Sequence, residues 1–243
     1  VTWAGLASNL ALAAIKLAAG VLGASAAVTA DAVHSLSDSV TDVAILVGVR
    51  YWSQPPDAEH PYGHRRIETL VTVFIGVALV VAAAGLGWDA VTALARGGAE
   101  TPGPIALGAA LLSVLVKETL YRVTRSAGRR IGSSALVSNA WHHRTDALSS
   151  IPAAAAVLAA MLDPDLVFLD AVGALLVAGL VALAGLRIAA PALDQLVDRG
   201  LPADEIAQIE RLARSVDGVR AVRSVRTRYA GLGVLVDLHA HVD

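Results

Sequence analysis

The sequence predicts a membrane protein of the all-α class, six transmembrane helices followed by a short α+β segment. Three observations carry that reading. The 243 residues are 56% hydrophobic and only 16% charged, with a mean hydropathy of +0.62, whereas soluble domains carry about 25% charged residues. The hydrophobicity is aliphatic, since aromatic residues make up 4%, and it falls into six runs of the roughly 20 residues needed to cross a bilayer. After Leu201 the pattern changes to that of a water-facing fold. This composition excludes an ordinary cytosolic enzyme and a disordered chain. The absence of cysteine excludes a disulfide scaffold, a thiolate metal site and thiol redox chemistry. A net charge of −2 and a pI near 6.4 argue against nucleic acid as a partner. The sequence opens at Val1 without an initiator Met, and no signal peptide is assigned.

The six spans are expected near residues 3–22, 28–51, 67–94, 105–121, 135–162 and 166–188. Connectors rich in Gly, Pro or polar residues separate them: Gly23-Ala24-Ser25, "SQPPDAEHPYGH", "RGGAETPGP", "RSAGRRIGSS" and "DPD". The third run is longer than the bilayer needs, so it is expected to tilt or to project into water. Basic residues near span ends set the orientation. Arg50, Arg65, Arg66, Arg122, Arg125, Arg129 and Arg130 flank one side against Arg96 alone on the other, which places both termini in the cytoplasm. The expected organisation is a transmembrane domain over residues 1–190, a linker over 191–200 and a partial C-terminal domain over 201–243. In that last part, "LPADEIAQIERLARSVDG" has a Pro and acids at its start, arginines late and a closing Gly, as an amphipathic helix would. "VRAVRSVRTRY" and "VLVDLHAHVD" alternate apolar and polar residues, as two half-buried strands would.

The polar residues inside the spans point to function. In the second span Asp31, His34, Asp38 and Asp42 are spaced by three, four and four, so they share one helix face. An Asp at mid-span costs about 2.5–3.5 kcal/mol on insertion scales. The fifth span repeats the device with Asn139, His142 and Asp146. Two helices that each offer His-x-x-x-Asp can supply two imidazole nitrogens and two carboxylate oxygens to one ion. Interhelical hydrogen-bond glue explains a single intramembrane His as well as a ligand role does. Two matched pairs favour the ligand role, because Ser and Thr are cheaper glue. Asp31 and Asp42 lie nearer the span ends, where snorkelling or helix capping explains each about as well as ion binding does. His143 points about 100° away from His142 on a helix and is expected to be structural. In the loop after the second span, Asp57, His60 and His64 place three donors within a short stretch. His239 and His241 share one face of the last strand with Asp237 and Asp243, a pattern that an ordinary solvated strand face also gives.

These residues, in this order, resemble the cation diffusion facilitator family of divalent-metal/proton antiporters. The likeness runs through "ADAVHSLSD", "RYWSQPPDAEHPYGHRRIETL", "VKETLYRVT", "AWHHRTDALSS", "LVDRGLP" and "VRTRYAG…VDLHAHVD". It implies a ferredoxin-like cytoplasmic domain and a homodimer in the lipid bilayer, here expected in a bacterial plasma membrane. It also implies a transport site of His34, Asp38, His142 and Asp146, with an accessory site at Asp57, His60 and His64. His239 would match one ligand of a cytoplasmic metal cluster, and Arg66 with Asp198 a charge interlock, expected as a buried pair. No cofactor is implied; Zn²⁺ is the transported ion and a candidate structural one. Two departures stand out. The family's cytoplasmic domain continues through a further helix and strand beyond Asp243, and Arg223 stands where some members have a His ligand. Because metal and proton compete for the same ligand atoms, such a site would export Zn²⁺ in exchange for protons. Fe²⁺, Co²⁺ and Cd²⁺ remain alternatives. An intramembrane metalloenzyme would need H-E-x-x-H or a similar motif, and neither that nor G-x-S-x-G is present. A metal-binding scaffold without transport is the remaining reading.

Overall fold

A computed structural model describes residues 2–96, 100–231 and 233–243. Six membrane-length helices lie among them: α1 (Thr2–Leu22), α2 (Ala26–Trp52), α3 (Arg66–Arg96), α4 (Pro104–Arg130), α5 (Ser134–Leu162) and α6 (Phe168–Leu196). A short helix, α7 (Ala203–Arg214), then precedes a β-hairpin of β1 (Val219–Ala230) and β2 (Gly233–Val242). All six apolar runs are helical, and the α+β character of the C-terminal part holds. In the connector expected before α4, residues 97–99 lie outside the described residues.

Two helices outrun their expected spans. α4 continues to Arg130, through the arginine-rich stretch expected as a connector, and leaves only residues 131–133 to turn the chain. Loss of hydropathy there marks exit from the hydrocarbon and not the end of the helix. Ser133 begins α5 by accepting the backbone N–H of Leu136 on its side chain. α6 starts after a 3₁₀ turn at Pro164–Leu166 and runs through Pro191 to Leu196, into the stretch expected as linker. With 31 residues, α3 is about 46 Å long at 1.5 Å per residue, longer than about 30 Å of hydrocarbon.

The chain divides into two compact units, Val1–Asp42 with Ala78–Gly185, and Val43–Val77 with Leu186–Asp243. The first unit is packed on small residues. Ala106 and Ala110 of α4, Ala154 and Val157 of α5 and Val28 of α2 form one buried cluster, while Ala27, Ala153 and Ala156 form a second. Lipid tails give no hydrophobic drive between helices, so close approach through small side chains supplies the packing energy. At Gly173 of α6 a Cβ would lie 2.8 Å from that of Ala156, so any larger residue would push α5 and α6 apart. The start of α2 is fixed across the sequence. Asp170 accepts from the Ser25 hydroxyl at 2.7 Å and from the Ala26 N–H at 2.7 Å, and Ser25 accepts from the Val28 N–H. A carboxylate at a helix N-terminus satisfies otherwise orphaned donors and meets the favourable end of the helix dipole. This clamp sets the depth of α2, and with it the depth of His34 and Asp38.

The second unit holds the loop between α2 and α3, the adjoining helix ends and the α7–β1–β2 segment. β1 pairs antiparallel with β2 from Val219↔Val242 to Ala230↔Gly233, with irregularities between Val219 and Ala221 and between Val222 and Ser224. Arg223 falls at the second of these. Gly231 takes φ +57 in the turn, where a Cβ would also meet Glu68 and the Arg65 carbonyl.

Candidate metal centre

One turn and a half of α2 and the middle of α5 bring three of the four expected membrane ligands together. His34, Asp38 and Asp146 each offer a ligand atom, and these atoms lie within 4.8 Å of one another. His34 Nε2 is 4.0 Å from Asp38 Oδ2. The oxygens Asp38 Oδ2 and Asp146 Oδ2 are both buried without a hydrogen-bond partner among the described residues. Buried carboxylate oxygens are costly unless something pairs with them, so the arrangement has room for a cation's coordination bonds. His142 stands apart from this trio. Its Nδ1 is 3.8 Å from Asp146 Oδ1, but the side chain is half exposed. As assembled, the group is one imidazole and two carboxylates, with the second imidazole beside it.

The other polar residues of the two stripes separate by role. Asp31 is fully buried, so of the alternatives its position left open, snorkelling and capping do not describe it. It accepts from Lys16 Nζ at 2.9 Å and from the Ser150 hydroxyl at 3.1 Å. Asp42 is exposed. His143 is buried against Gly5 of α1 and lies 3.5 Å from Asn139 Nδ2, the structural position expected for it. The sequence pattern alone did not single out Lys16 and Lys117, which are 0% and 1% exposed. Lys117 Nζ lies 3.4 Å from Asp146 Oδ2. A signal for them existed: they are the chain's two lysines, both inside apolar spans, while every other basic residue of the 19 Lys and Arg is an arginine.

The loop group is also assembled, but in water. Asp57, His60 and His64 offer ligand atoms within 4.8 Å of one another. Asp57 Oδ1 accepts the backbone N–H groups of Glu59 at 3.0 Å and His60 at 2.6 Å. The hydrogen bond from the His60 backbone, more than any other contact, holds the Asp57 carboxyl below the usual carboxylate range. His60 Nδ1 is 3.2 Å and His64 Nε2 3.5 Å from Asp57, and the two imidazole rings sit 4.3 Å apart. Gly63 at φ +79 closes the turn between them. Arg66 at the start of α3 donates to Asp198, but both side chains are about half exposed. The expected burial of that pair is therefore corrected. Asp198 takes φ +60, a left-handed conformation that Asp tolerates better than most residues. His239 and His241 are exposed on β2, and among the described residues no third ligand-bearing side chain gathers with His239.

Comparison with known proteins agrees with this architecture. The profile of the cation efflux transmembrane domain matches residues 2–197, and that of the cation efflux protein cytoplasmic domain matches residues 201–243. A metal tolerance protein of Arabidopsis thaliana is 35% identical over 254 residues, covering 98% of this chain and 54% of its own length. An uncharacterized transporter of Methanocaldococcus jannaschii is 35% identical over 234 residues, 96% of this chain and 82% of its own. A manganese efflux system protein of Bacillus subtilis is 30% identical over 243 residues, 98% of this chain and 82% of its own. The chain thus spans about half of the plant relative's length and four fifths of the two microbial ones. It is an integral membrane protein and belongs to the cation efflux family, the cation diffusion facilitators, a family of transporters and not of enzymes.

Proposed function

We propose that this protein exports a divalent metal cation from the cytoplasm, Zn²⁺ foremost, in exchange for protons. The observation that carries this is the trio of His34, Asp38 and Asp146, which joins two membrane-spanning helices and includes two buried carboxylate oxygens without hydrogen-bond partners among the described residues. In this reading His142 turns inward when the ion arrives and completes a tetrahedral set of two nitrogens and two oxygens, the geometry Zn²⁺ takes. Protons compete for the same atoms. Metal displaces them when the site faces the cytoplasm, and they displace metal when it faces a more acidic exterior. The protein works as a homodimer through its C-terminal segment, with both termini in the cytoplasm, and the Asp57–His60–His64 group holds an accessory ion.

A second reading is favoured by a specific observation. The trio as assembled holds two carboxylates and one imidazole, a harder donor set that suits Mn²⁺, and the Bacillus relative's name speaks of manganese efflux. Flux into proteoliposomes, measured for Zn²⁺ and Mn²⁺ with and without an imposed pH gradient, decides between them. Zn²⁺ is expected to move faster than Mn²⁺, accelerated by the gradient and matched by proton counter-flow. Faster Mn²⁺ flux would favour the second reading; metal flux without proton movement would remove antiport.

A further inference from the structure

The chain's two lysines both lie in the bundle, in one continuous polar network with the candidate transport site. Lys16 of α1 donates to Asp31 Oδ2 at 2.9 Å, to the Asp31 carbonyl at 3.3 Å and to the Ser35 hydroxyl at 2.6 Å. An ammonium has three donors, so Lys16 is fully satisfied and anchored. Asp31 is held on its other oxygen by the Ser150 hydroxyl. Lys117 of α4 is held quite differently. Its one hydrogen bond among the described residues is a long one, 3.3 Å to Ser35, and Asp146 Oδ2 stands 3.4 Å away without the alignment of a hydrogen bond. The ammonium is thus suspended between a neutral hydroxyl and a ligand carboxylate, in surroundings where the attraction of unlike charges is strong.

Building on the transport-site reading, we infer that Lys117 is a tethered competitor for the ion. Its ammonium neutralises Asp146 in the metal-free site and withdraws toward Ser35 when a divalent cation binds. No proton need be transferred for this exchange of one cation for another. A lysine stem has four rotatable carbons and carries a point charge, so it can give up a partner that a planar, bidentate arginine would keep. The bundle's use of lysine here, against arginine at every other basic position, fits that requirement. The consequence is an affinity held low enough for release. Lys117 is in this sense a positioning residue: it governs how available Asp146 is to the metal.

The test is Zn²⁺ binding by equilibrium dialysis of the full chain in detergent, comparing wild type, Lys117→Met and Lys117→Arg, each carrying His60→Ala and His64→Ala so that the loop group does not contribute. With the competitor removed, Lys117→Met binds Zn²⁺ about tenfold or more tighter, and turnover in proteoliposomes slows because release slows. Lys117→Arg, which keeps the charge, stays within a few-fold of wild type or weaker. A folded Lys117→Met protein with unchanged or weaker affinity overturns the inference. A wild type that binds no Zn²⁺ while Lys117→Met does would support it in extreme form; no binding by either overturns the transport-site reading itself. Should Lys117→Met fail to fold, ¹⁵N NMR of lysine-labelled wild type decides the matter, since the sequence contributes two side-chain signals. Zn²⁺ should shift the Lys117 signal, assigned by its loss in Lys117→Arg, and leave that of Lys16 in place. An unmoved Lys117 signal at saturating Zn²⁺ overturns the inference.

Discussion

The intramembrane group and the loop group use the same side chains in opposite surroundings. Each brings Asp and His together at one-turn spacing. In the loop, Asp57 is exposed and its charge is already met by two backbone N–H groups and the His60 ring. In the bundle, Asp146 is buried and shares its charge with a buried lysine, while one oxygen of Asp38 has no partner among the described residues. The difference is one of desolvation. Water and backbone donors have largely satisfied the loop carboxylate, so an ion there gains little. Asp146 and the Oδ2 atom of Asp38 have lost their water, so an ion there gains much and its absence must be compensated. On the proposed reading, transport belongs to the bundle and a lesser, tuning role to the loop.

The largest expected effect breaks the comparison outright if it fails. Asp38→Ala should reduce Zn²⁺ flux by about 100-fold or more, since it removes a ligand and not merely a partner of one; wild-type flux in a folded Asp38→Ala protein would dismiss the bundle site. Asp38 is a cleaner target than Asp146, whose loss also strands the buried Lys117. Stability offers the next test. Lys16→Met alone should destabilise the bundle by about 3–5 kcal/mol, because it leaves Asp31 buried and unpaired, and adding Asp31→Leu should recover most of that. Thermal unfolding in detergent checks this, and a Lys16→Met protein as stable as wild type would show that the pair is not buried as described.

Acidity separates the two groups further. Zn²⁺ affinity should weaken as pH falls, because protons and metal compete for the same ligand atoms. A carboxyl held below the ordinary range contributes stability that is fully present above about pH 3.9 and is lost only as pH falls through its depressed value. The Asp57 turn should therefore stay intact well below neutral pH, which amide exchange at Glu59 and His60 would report. A smaller change is expected from His60→Ala with His64→Ala: one Zn²⁺ fewer per chain and flux lowered about twofold, as partial loss of affinity at an accessory site would give. Unchanged stoichiometry would return these residues to an ordinary solvated loop. Smallest of all, Arg66→Ala should cost no more than about 1 kcal/mol, because its pair with Asp198 is half exposed.

Much of this was legible in the sequence because membrane helices announce themselves by length and hydropathy, and because charge inside a span is costly. The six helices and the His34–Asp38 and His142–Asp146 pairs follow from those two facts. The end of α4 was not legible, since an arginine-rich helix leaving the bilayer reads like a loop. Lys16 and Lys117 escaped notice for a related reason. A lone lysine in an apolar run reads as a defect in the span until its carboxylate, 15 residues away for Lys16 and 29 for Lys117, is brought to it by packing. The clamp of Asp170 on the start of α2 crosses 145 residues, and no local pattern encodes it. The pairing of Arg66 with Asp198 is implied by resemblance alone, and resemblance does not say how much water reaches the two charges.

The central claim is that the bundle holds one ion with His34, Asp38, His142 and Asp146. Zinc K-edge absorption spectroscopy on the His60→Ala, His64→Ala protein, loaded with one Zn²⁺ per chain, tests it most directly. The expected result is a four-coordinate shell of nitrogen and oxygen at about 2.0 Å, with scattering from two imidazoles that falls to one in a His142→Ala background. A shell with a single imidazole, unchanged by His142→Ala, would contradict it and leave the metal to the carboxylate-rich trio alone.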